Sequence, residues 1–226
     1  MTIITNKMSL QILYEDNHII AVYKPSCVLA QGDDTGEESV FDFVKKYIKE
    51  KYKKPGNVFL GLVHRLDRPV SGIMVFAKTS KGASRLSEQF RNHEVEKTYH
   101  AVVLGKMERK KGNIISHLKK NEDKNKVFVH RSADRDTKES ELSYEVVESN
   151  DEFSLLKIKP LTGRSHQIRA QLSSVGHPIV GDIKYGTKES LPDNSIMLRA
   201  TGLVFRKATE DKLIKLEIPP LELPEN

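Results

Sequence analysis

The most concentrated set of reactive side chains lies in residues 61–78, GLVHRLDRPVSGIMVFAK. Its first half carries His64, Arg65 and Asp67 within four positions. Its second half contains the apolar run Ile73–Ala77, which predicts a buried strand. A polar loop that turns directly into a core strand holds its side chains rigidly at a sheet edge, which suits a reacting group. A structural Arg–Asp pair beside a turn is the open alternative.

Two further polar clusters occupy residues 97–99 (KTY) and 162–169 (TGRSHQIR). The second follows a predicted strand and enters a predicted helix, so its first backbone N–H groups and Arg164 can hold an anion. An aspartate near an arginine from a distant segment stays ionised, because the opposite charge favours the carboxylate. Such a carboxylate serves as a nucleophile or a base, and a nearby tyrosine can stack on a planar substrate or exchange a proton.

The histidines of these clusters do not follow a known metal-binding spacing. His64, Asp67 and His166 are possible ligands, but no HExxH-type pattern supports them. No glycine-rich nucleotide loop is present in the sequence either. We therefore predict no metal site and no cofactor.

The composition is that of a globular protein, with 38% hydrophobic and 30% charged residues in 226 positions. The net charge of +6 permits a nucleic-acid partner without requiring one. A single cysteine, Cys27, excludes an internal disulfide framework and a cysteine-based zinc site, and it suggests a reducing compartment. The sequence has no apolar run of the roughly 18 residues that a membrane span needs, so a soluble, cytoplasmic protein is predicted.

Local patterns predict the elements that hold these clusters. Two strands flank a turn at Asp16-Asn17, and Ser39 caps a helix that continues to about Tyr52. Thr79 or Ser80 caps a second helix. Further strands are predicted at 98–104, 113–118, 126–130, 142–148, 153–159, 196–205 and 212–218.

A third helix is predicted to open at Ser165, with Ile168, Leu172 and Val175 facing the core and Gly176 ending it. The polar segment 119–126 (KKNEDKNK) is interpreted as a solvated hairpin tip, with phosphate contact as the alternative.

Strands dominate without strict βαβ alternation, which favours an α+β fold with a mixed, largely antiparallel sheet and flanking helices. We see no linker or repeat, so residues 1–226 are expected to form a single domain.

Taken together and in order, these clusters closely resemble the motifs of the RluA-type family of RNA pseudouridine synthases. VHRLDRPVSGIMVFAKT resembles its aspartate motif, and KTYHAVVLG its tyrosine motif. PLTGRSHQIRAQLSSVGHPIVGDIKYG resembles its arginine motif, and AVYKPSCVLAQ its lysine–proline motif. The resemblance covers roughly Ile12 to Pro219. It implies a mixed sheet with a central RNA-binding cleft.

The resemblance also implies a role for each matching residue. Asp67 matches the catalytic aspartate, and the sequence leaves open whether it attacks the base or the ribose. Tyr99 matches the tyrosine that stacks on the base and helps to remove the proton from carbon-5. Arg169 matches the basic residue that pairs with the aspartate. The remaining expected substrate-binding residues are Arg65, which enters the RNA stack, Leu198, which walls the pocket, and His64, Arg164 and His166.

Three positions depart from the family pattern. Cys27 stands where glycine is usual, so the backbone of that loop is expected to differ. Val70 replaces a usual threonine, and Ala170-Gln171 replaces a common valine–histidine pair. The catalytic pattern begins by Ile12, so no separate N-terminal RNA-binding domain is expected in this sequence.

The resulting hypothesis is a cofactor-free isomerase that converts uridine to pseudouridine in structured RNA. Ribosomal RNA, transfer RNA or both are equally plausible substrates, and a monomer is expected. One alternative is a basic RNA-binding protein without catalysis, but such a protein gains nothing from a carboxylate in an anion-binding groove. The other is a metal-dependent hydrolase that uses His64, Asp67 and His166, which a chelator would inactivate.

Overall fold

The computed structural model describes residues 2–5 and 8–224. These residues form twelve strands and three α-helices. The strands are β1 (Thr2–Thr5), β2 (Met8–Glu15), β3 (Ile19–Lys24), β4 (Gly61–Leu62), β5 (Ser71–Ala77), β6 (Glu96–Leu104), β7 (Lys111–Asn121), β8 (Lys126–His130), β9 (Lys138–Ser149), β10 (Phe153–Pro160), β11 (Leu198–Arg206) and β12 (Leu213–Glu217). The helices are α1 (Val40–Lys51), α2 (Ser80–Arg91) and α3 (Gln167–Ser174), and a 3-10 turn spans Ile183–Tyr185.

The chain divides into two compact units. The first contains residues 1–96 and 202–218, and the second contains residues 97–201 and 219–226. In the first unit, the strand order is β1-β2-β3-β5, with β4 also paired to β5 and β12 paired to β11. In the second unit, the order is β6-β10-β9-β7-β8, and each of these neighbouring pairs is antiparallel.

Strand β5 lies in the core of the first unit. All seven of its residues are buried, and it pairs antiparallel with β3, where Ile20 lies opposite Phe76. The unbroken apolar run from Ile73 to Ala77 is expected for a strand that exposes neither face to solvent. The buried strand predicted at Ile73–Ala77 is confirmed, and it begins two residues earlier, at Ser71.

Helix α1 begins and ends where its sequence predicts. The hydroxyl of Ser39 accepts a hydrogen bond from the Asp42 N–H, and the Asp42 carboxylate accepts one from the Ser39 N–H, which forms a capping box. The buried face consists of Val40, Phe43, Val44, Tyr47 and Ile48. Thr79 caps α2 in a similar way, by accepting a hydrogen bond from the Gly82 N–H.

Helix α3 is shorter than predicted. It begins at Gln167, not Ser165, because His166 adopts a left-handed conformation with φ 50° that a helix cannot include. It ends at Ser174, so Val175 caps the helix and is 45% exposed instead of facing the core. Ile168 and Leu172 are buried as predicted.

The α+β class and the largely antiparallel sheet are confirmed by this topology. The segment 119–126 is mostly strand, because β7 continues to Asn121 and β8 starts at Lys126. Only residues 122–125 form the tip of the hairpin. In the described residues, no helix is both long enough and apolar enough to span a membrane.

Candidate active site

Asp67 lies in a short loop, residues 63–70, between β4 and β5; we call it the Asp67 loop. The side chains on either side of the aspartate, Leu66 and Val70, are buried, with 6% and 3% exposure, and Asp67 itself is half-buried. The Val70 N–H donates to the Asp67 carbonyl at 3.0 Å, which closes the turn into β5. The buried side chains of Leu66 and Val70, together with this turn, therefore hold Asp67 in place.

Lys24, at the end of β3, ties a second segment to the Asp67 loop. Its side chain is fully buried, and Nζ donates to the carbonyls of Pro25 (2.9 Å), Val28 (2.7 Å) and Arg68 (3.0 Å). The pKa of Lys24 is lowered to about 7, mainly by burial; Cys27 and Asp67 oppose this shift, and Arg68 adds to it. The residue was not predicted to have a role, although the lysine–proline motif was the signal for it.

Cys27 adopts a left-handed backbone conformation with φ 62°. This is a conformation that glycine reaches without steric cost, so the loop keeps a glycine-like backbone although a side chain is present. The Cys27 carbonyl accepts a hydrogen bond from Arg68 Nε at 3.3 Å, and Arg68 also pairs with Glu37 at 2.7 Å. The substitution therefore leaves this loop attached to the Asp67 loop.

His64 is held inside the first unit by its ring. Nε2 accepts a hydrogen bond from the Val75 N–H at 2.9 Å, and the ring stacks on Phe90 with 4.8 Å between centroids. This contact fixes the start of the Asp67 loop against β5. The neighbouring Arg65 is exposed, and its contact with RNA stays a prediction. Direct contact of His64 with a substrate stays a prediction.

Tyr99 lies in β6, half-buried and directly opposite Ile158 of β10. Two residues earlier, Lys97 Nζ donates to the Thr162 carbonyl at 3.2 Å. Burial lowers the pKa of Lys97. The hydrogen bond joins the start of the tyrosine motif to the start of the arginine motif, two clusters that the sequence separates by more than sixty residues.

Gln167 organises the turn that leads into α3. Its Oε1 accepts hydrogen bonds from the Thr162 hydroxyl (2.7 Å) and the Arg164 N–H (3.0 Å). Its Nε2 donates to the Glu141 carbonyl at 3.0 Å, which attaches the turn to β9. Arg164 is exposed, and its Nε lies 3.4 Å from the Glu139 carbonyl. The sequence interpretation did not assign a role to Gln167.

Arg169 is buried in α3 and paired with a second buried residue, Asp182. Its Nε and Nη2 donate to the two carboxylate oxygens of Asp182 at 2.7 and 2.8 Å. Its guanidinium lies over the ring of Tyr185, 5.0 Å from the centroid. A bidentate pair and a cation–π contact fix the orientation of a planar guanidinium.

Tyr185 also connects His166 to the β7–β8 hairpin. The Tyr185 hydroxyl lies 2.8 Å from His166 Nδ1 and accepts a hydrogen bond from the Val127 N–H at 2.8 Å. Asp182 and Tyr185 were not predicted as site residues. They lie in GDIKYG, at the end of the arginine motif, so the motif itself was the available signal.

The other departures from the family pattern lie in the interior. Ala170 is 3% exposed and Gln171 is fully buried, with Nε2 donating to the carbonyls of Ile114 and Ser140. Leu198, predicted to wall a pocket, is also buried, at the start of β11. Ala170, Gln171 and Leu198 are therefore part of the packed interior of the second unit.

The predicted site residues are divided between the two units. His64, Arg65 and Asp67 belong to the first, and Tyr99, Arg164, His166, Arg169 and Leu198 belong to the second. The structure brings His166 and Arg169 together at Tyr185. The pairing of Asp67 with Arg169 stays a prediction. Among residues 2–5 and 8–224, no three His, Cys, Asp or Glu side chains are grouped to hold a metal ion.

Comparisons with known proteins point to one family. Residues 18–174 match the family described as RNA pseudouridylate synthase. The chain is 32% identical over 209 residues to the ribosomal large subunit pseudouridine synthase C of Rickettsia typhi, covering 91% of this chain and 66% of that protein. The chain therefore spans just under two thirds of the length of this relative.

A tRNA pseudouridine synthase C from Vibrio cholerae is 31% identical over 214 residues, which cover 87% of this chain and 85% of that protein. Among solved structures, human RNA pseudouridylate synthase domain containing 4 matches with a TM-score of 0.78 and 22% identity. That alignment covers 93% of this chain and 88% of the human chain, and it supports the fold.

Proposed function

The chain belongs to the RNA pseudouridylate synthase family, and from this premise we propose that it is an RNA pseudouridine synthase. Its substrate is a uridine in structured ribosomal or transfer RNA. The two relatives described above are named for these two RNA classes. The protein acts as a monomer in the cytoplasm.

The proposed reaction is an isomerisation. The bond between the ribose and N1 of uracil breaks, the base turns, and carbon-5 forms a new bond to the same ribose carbon. Carbon-5 loses its proton and N1 gains one, so the composition of the RNA is unchanged. The uracil must first leave its stack, which costs a few kcal/mol that contacts with the protein must offset.

Each predicted residue has a distinct task. Asp67 is the nucleophile, Arg169 pairs with its carboxylate, and Tyr99 stacks on the base and assists proton removal. Arg65 fills the position that the base vacates. The pocket wall is Leu198, and the remaining contacts to RNA are assigned to His64, Arg164 and His166.

The observation that carries this proposal is the anchoring of Asp67 inside the matched region. A carboxylate held by two buried neighbours, by a turn and by Lys24 through the Arg68 carbonyl is pre-organised for chemistry. In a protein that only binds RNA, a half-buried carboxylate would repel the phosphates and would contribute nothing to binding. The preformed loop therefore favours catalysis over binding alone.

Tritium release from RNA that contains uridine labelled at carbon-5 tests the proposal directly. Transfer RNA and ribosomal RNA would be assayed separately, in EDTA, with the wild type, Asp67→Asn and the matched control Asp34→Asn. Asp34 is an exposed aspartate of the same unit, so the control repeats the chemical change away from the loop. We expect release by the wild type and the control only, with RNA binding retained in Asp67→Asn.

Substantial turnover by Asp67→Asn would remove this residue from its assigned role. Binding of RNA without release in any variant would favour the non-catalytic alternative. Activity that depends on metal and is lost in EDTA would favour the hydrolase.

A further inference from the structure

The positive charge of the chain is concentrated at the end of helix α1. Residues 45–54 contain six lysines and one glutamate, a net charge of +5 against +6 for all 226 residues. The rest of the chain is therefore close to neutral. We use the name α1 lysine patch for Lys45, Lys46, Lys49, Lys53 and Lys54.

The patch lysines are not neutralised by carboxylates. The sixth lysine of the segment, Lys51, pairs with Glu15 at 2.6 Å, and Lys78 takes the other oxygen of that carboxylate. Among the residues that the structure describes, no carboxylate pairs with any member of the patch. Lys45 is half-buried, and the other four lysines are exposed.

An aromatic ring lies among these cations. Tyr52 is 44% exposed, and its hydroxyl donates to Glu15 Oε1 at 2.7 Å, which fixes the ring in place. Lys78, Lys51 and Lys54 lie 4.5, 5.4 and 5.9 Å from the ring centroid. The ring therefore groups lysine ammonium groups at one surface through cation–π contacts, and clustered lysines bind nucleic acid through its phosphates.

Lys53, a member of the patch, has a left-handed backbone conformation that non-glycine residues rarely adopt. Lys53 adopts φ 47°, and the last turn of α1 closes through hydrogen bonds from Lys53 N–H to the Glu50 carbonyl and from Lys54 N–H to the Lys49 carbonyl. Helix α3 closes with the same pattern, but there the left-handed residue is Gly176. Helix α2 also closes in this way, with His93 left-handed at φ 60°, so the conformation fixes where Lys53 lies, and it is the charge of the patch that favours RNA.

We propose that the α1 lysine patch binds the phosphate backbone of the substrate RNA. This proposal rests on the proposed function for the identity of the partner. An anionic membrane also attracts lysines, but the apolar side chains of α1 that lie between the patch lysines in sequence, Tyr47 and Ile48, are buried in the protein and cannot insert into lipid. The charge of the patch therefore favours RNA.

The first test neutralises the patch and compares it with an equal change elsewhere. The patch variant is Lys46→Gln/Lys49→Gln/Lys53→Gln/Lys54→Gln. The control variant neutralises four exposed lysines outside the patch, Lys106→Gln/Lys110→Gln/Lys188→Gln/Lys212→Gln. Both variants lose the same total charge, so a difference between them reports the location of the lysines.

Binding of bulk transfer RNA and of a ribosomal RNA stem-loop would be followed by fluorescence anisotropy at about 50–200 mM salt. At about 100 mM salt, we expect the patch variant to bind about tenfold more weakly than the control variant. The slope of log K against log salt should fall by about 3, because each lost phosphate contact contributes roughly 0.7–0.9. In tritium release, KM should rise while kcat stays within about twofold.

A second test separates the charge of Lys53 from its backbone strain. Lys53→Gly relieves the left-handed conformation and removes one patch cation. His93→Gly relieves the same conformation at the end of α2, where φ is 60°, without touching the patch. We expect both variants to melt about 2–4 °C higher. Only Lys53→Gly should weaken RNA binding.

Equal affinities and salt slopes in the patch and control variants would overturn the proposal. So would binding of the wild type to phosphatidylserine vesicles that the patch variant loses while its RNA affinity is unchanged. A wild type that binds RNA through the patch but releases no tritium would refute the proposed function and leave the patch as an RNA-binding surface. The two failures are therefore distinguishable.

Discussion

Lys24 in the first unit and Arg169 in the second are both buried cations, but they are stabilised by different groups. Arg169 faces a buried carboxylate in a bidentate pair with Asp182. Lys24 donates to three backbone carbonyls, and no carboxylate accepts from it in the described residues. An arginine stays charged at any pH that proteins tolerate, whereas a buried lysine can lose its proton.

The difference indicates which unit responds to pH and which depends on a buried ion pair. Carbonyl oxygens stabilise an ammonium through hydrogen bonds, but they carry no full charge that offsets its desolvation. A carboxylate carries such a charge, so the removal of Asp182 takes an opposite charge and two hydrogen bonds away from the buried guanidinium. We therefore expect the second unit to be sensitive to substitution of Asp182 and the first to be sensitive to proton concentration.

The largest effect is expected from Asp182→Ala. The substitution removes a bidentate partner from a buried guanidinium, and we expect the free energy of unfolding to fall by about 3–5 kcal/mol. Urea denaturation measures this directly. Asp151→Ala, at an exposed aspartate of the same unit, should change it by less than about 0.5 kcal/mol. If the double variant Arg169→Met/Asp182→Leu is no more stable than Asp182→Ala, the loss of the carboxylate beside the buried guanidinium is not the cause.

The next effect is a pH dependence that originates at Lys24. Its pKa is about 7 in the folded chain and 10.5 as the ordinary value. Below pH 7 both states hold the proton, so this lysine contributes no pH dependence. Between the two values only the unfolded chain binds it, so stability rises with pH, by at most about 1.4 kcal/mol per pH unit.

Urea denaturation of the wild type and of Lys24→Met between about pH 7 and 9 isolates this contribution. We expect the free energy of unfolding to rise with pH in the wild type and to change less with pH in Lys24→Met. Lys81→Met, at an exposed lysine of the same unit, should keep the wild-type profile. Parallel profiles for all three proteins would show that Lys24 titrates no differently from an exposed lysine.

The smallest effect concerns the loop that surrounds Lys24. Cys27→Gly removes the side chain from a left-handed position, and we expect the free energy of unfolding to rise by up to about 1 kcal/mol. Cys27→Ala keeps a Cβ atom and should give no such gain, which separates the backbone effect from loss of the thiol. Thermal unfolding of both variants measures the difference. A gain in Cys27→Ala alone would contradict the backbone explanation.

Local signals in the sequence predicted much of the fold. Ser39 followed by Asp42 three residues later marks the start of α1, and an unbroken apolar run marks β5. The error at Val175 has the same local origin, because helical spacing continued beyond the residue at which α3 ends. The single-domain organisation and the roles of the site residues stay predictions.

The partners of the buried cations could not be predicted in this way. Lys24 donates to a carbonyl 44 positions away, at Arg68, and Arg169 pairs with Asp182, 13 positions away and outside its helix. Which groups meet across such separations depends on the packing of the whole unit, which no local pattern encodes. Family motifs indicated that these segments matter, but not which atoms they join.

The contact between His64 and Val75 makes one imidazole ring a reporter of the Asp67 loop. A backbone N–H can only donate, so Nε2 must accept, and the neutral ring must carry its proton on Nδ1. That tautomer has its own nitrogen-15 chemical-shift pattern in NMR spectra. With histidine labelled, the spectrum would reveal whether the loop is seated against β5 in any variant, before RNA is added and independently of turnover.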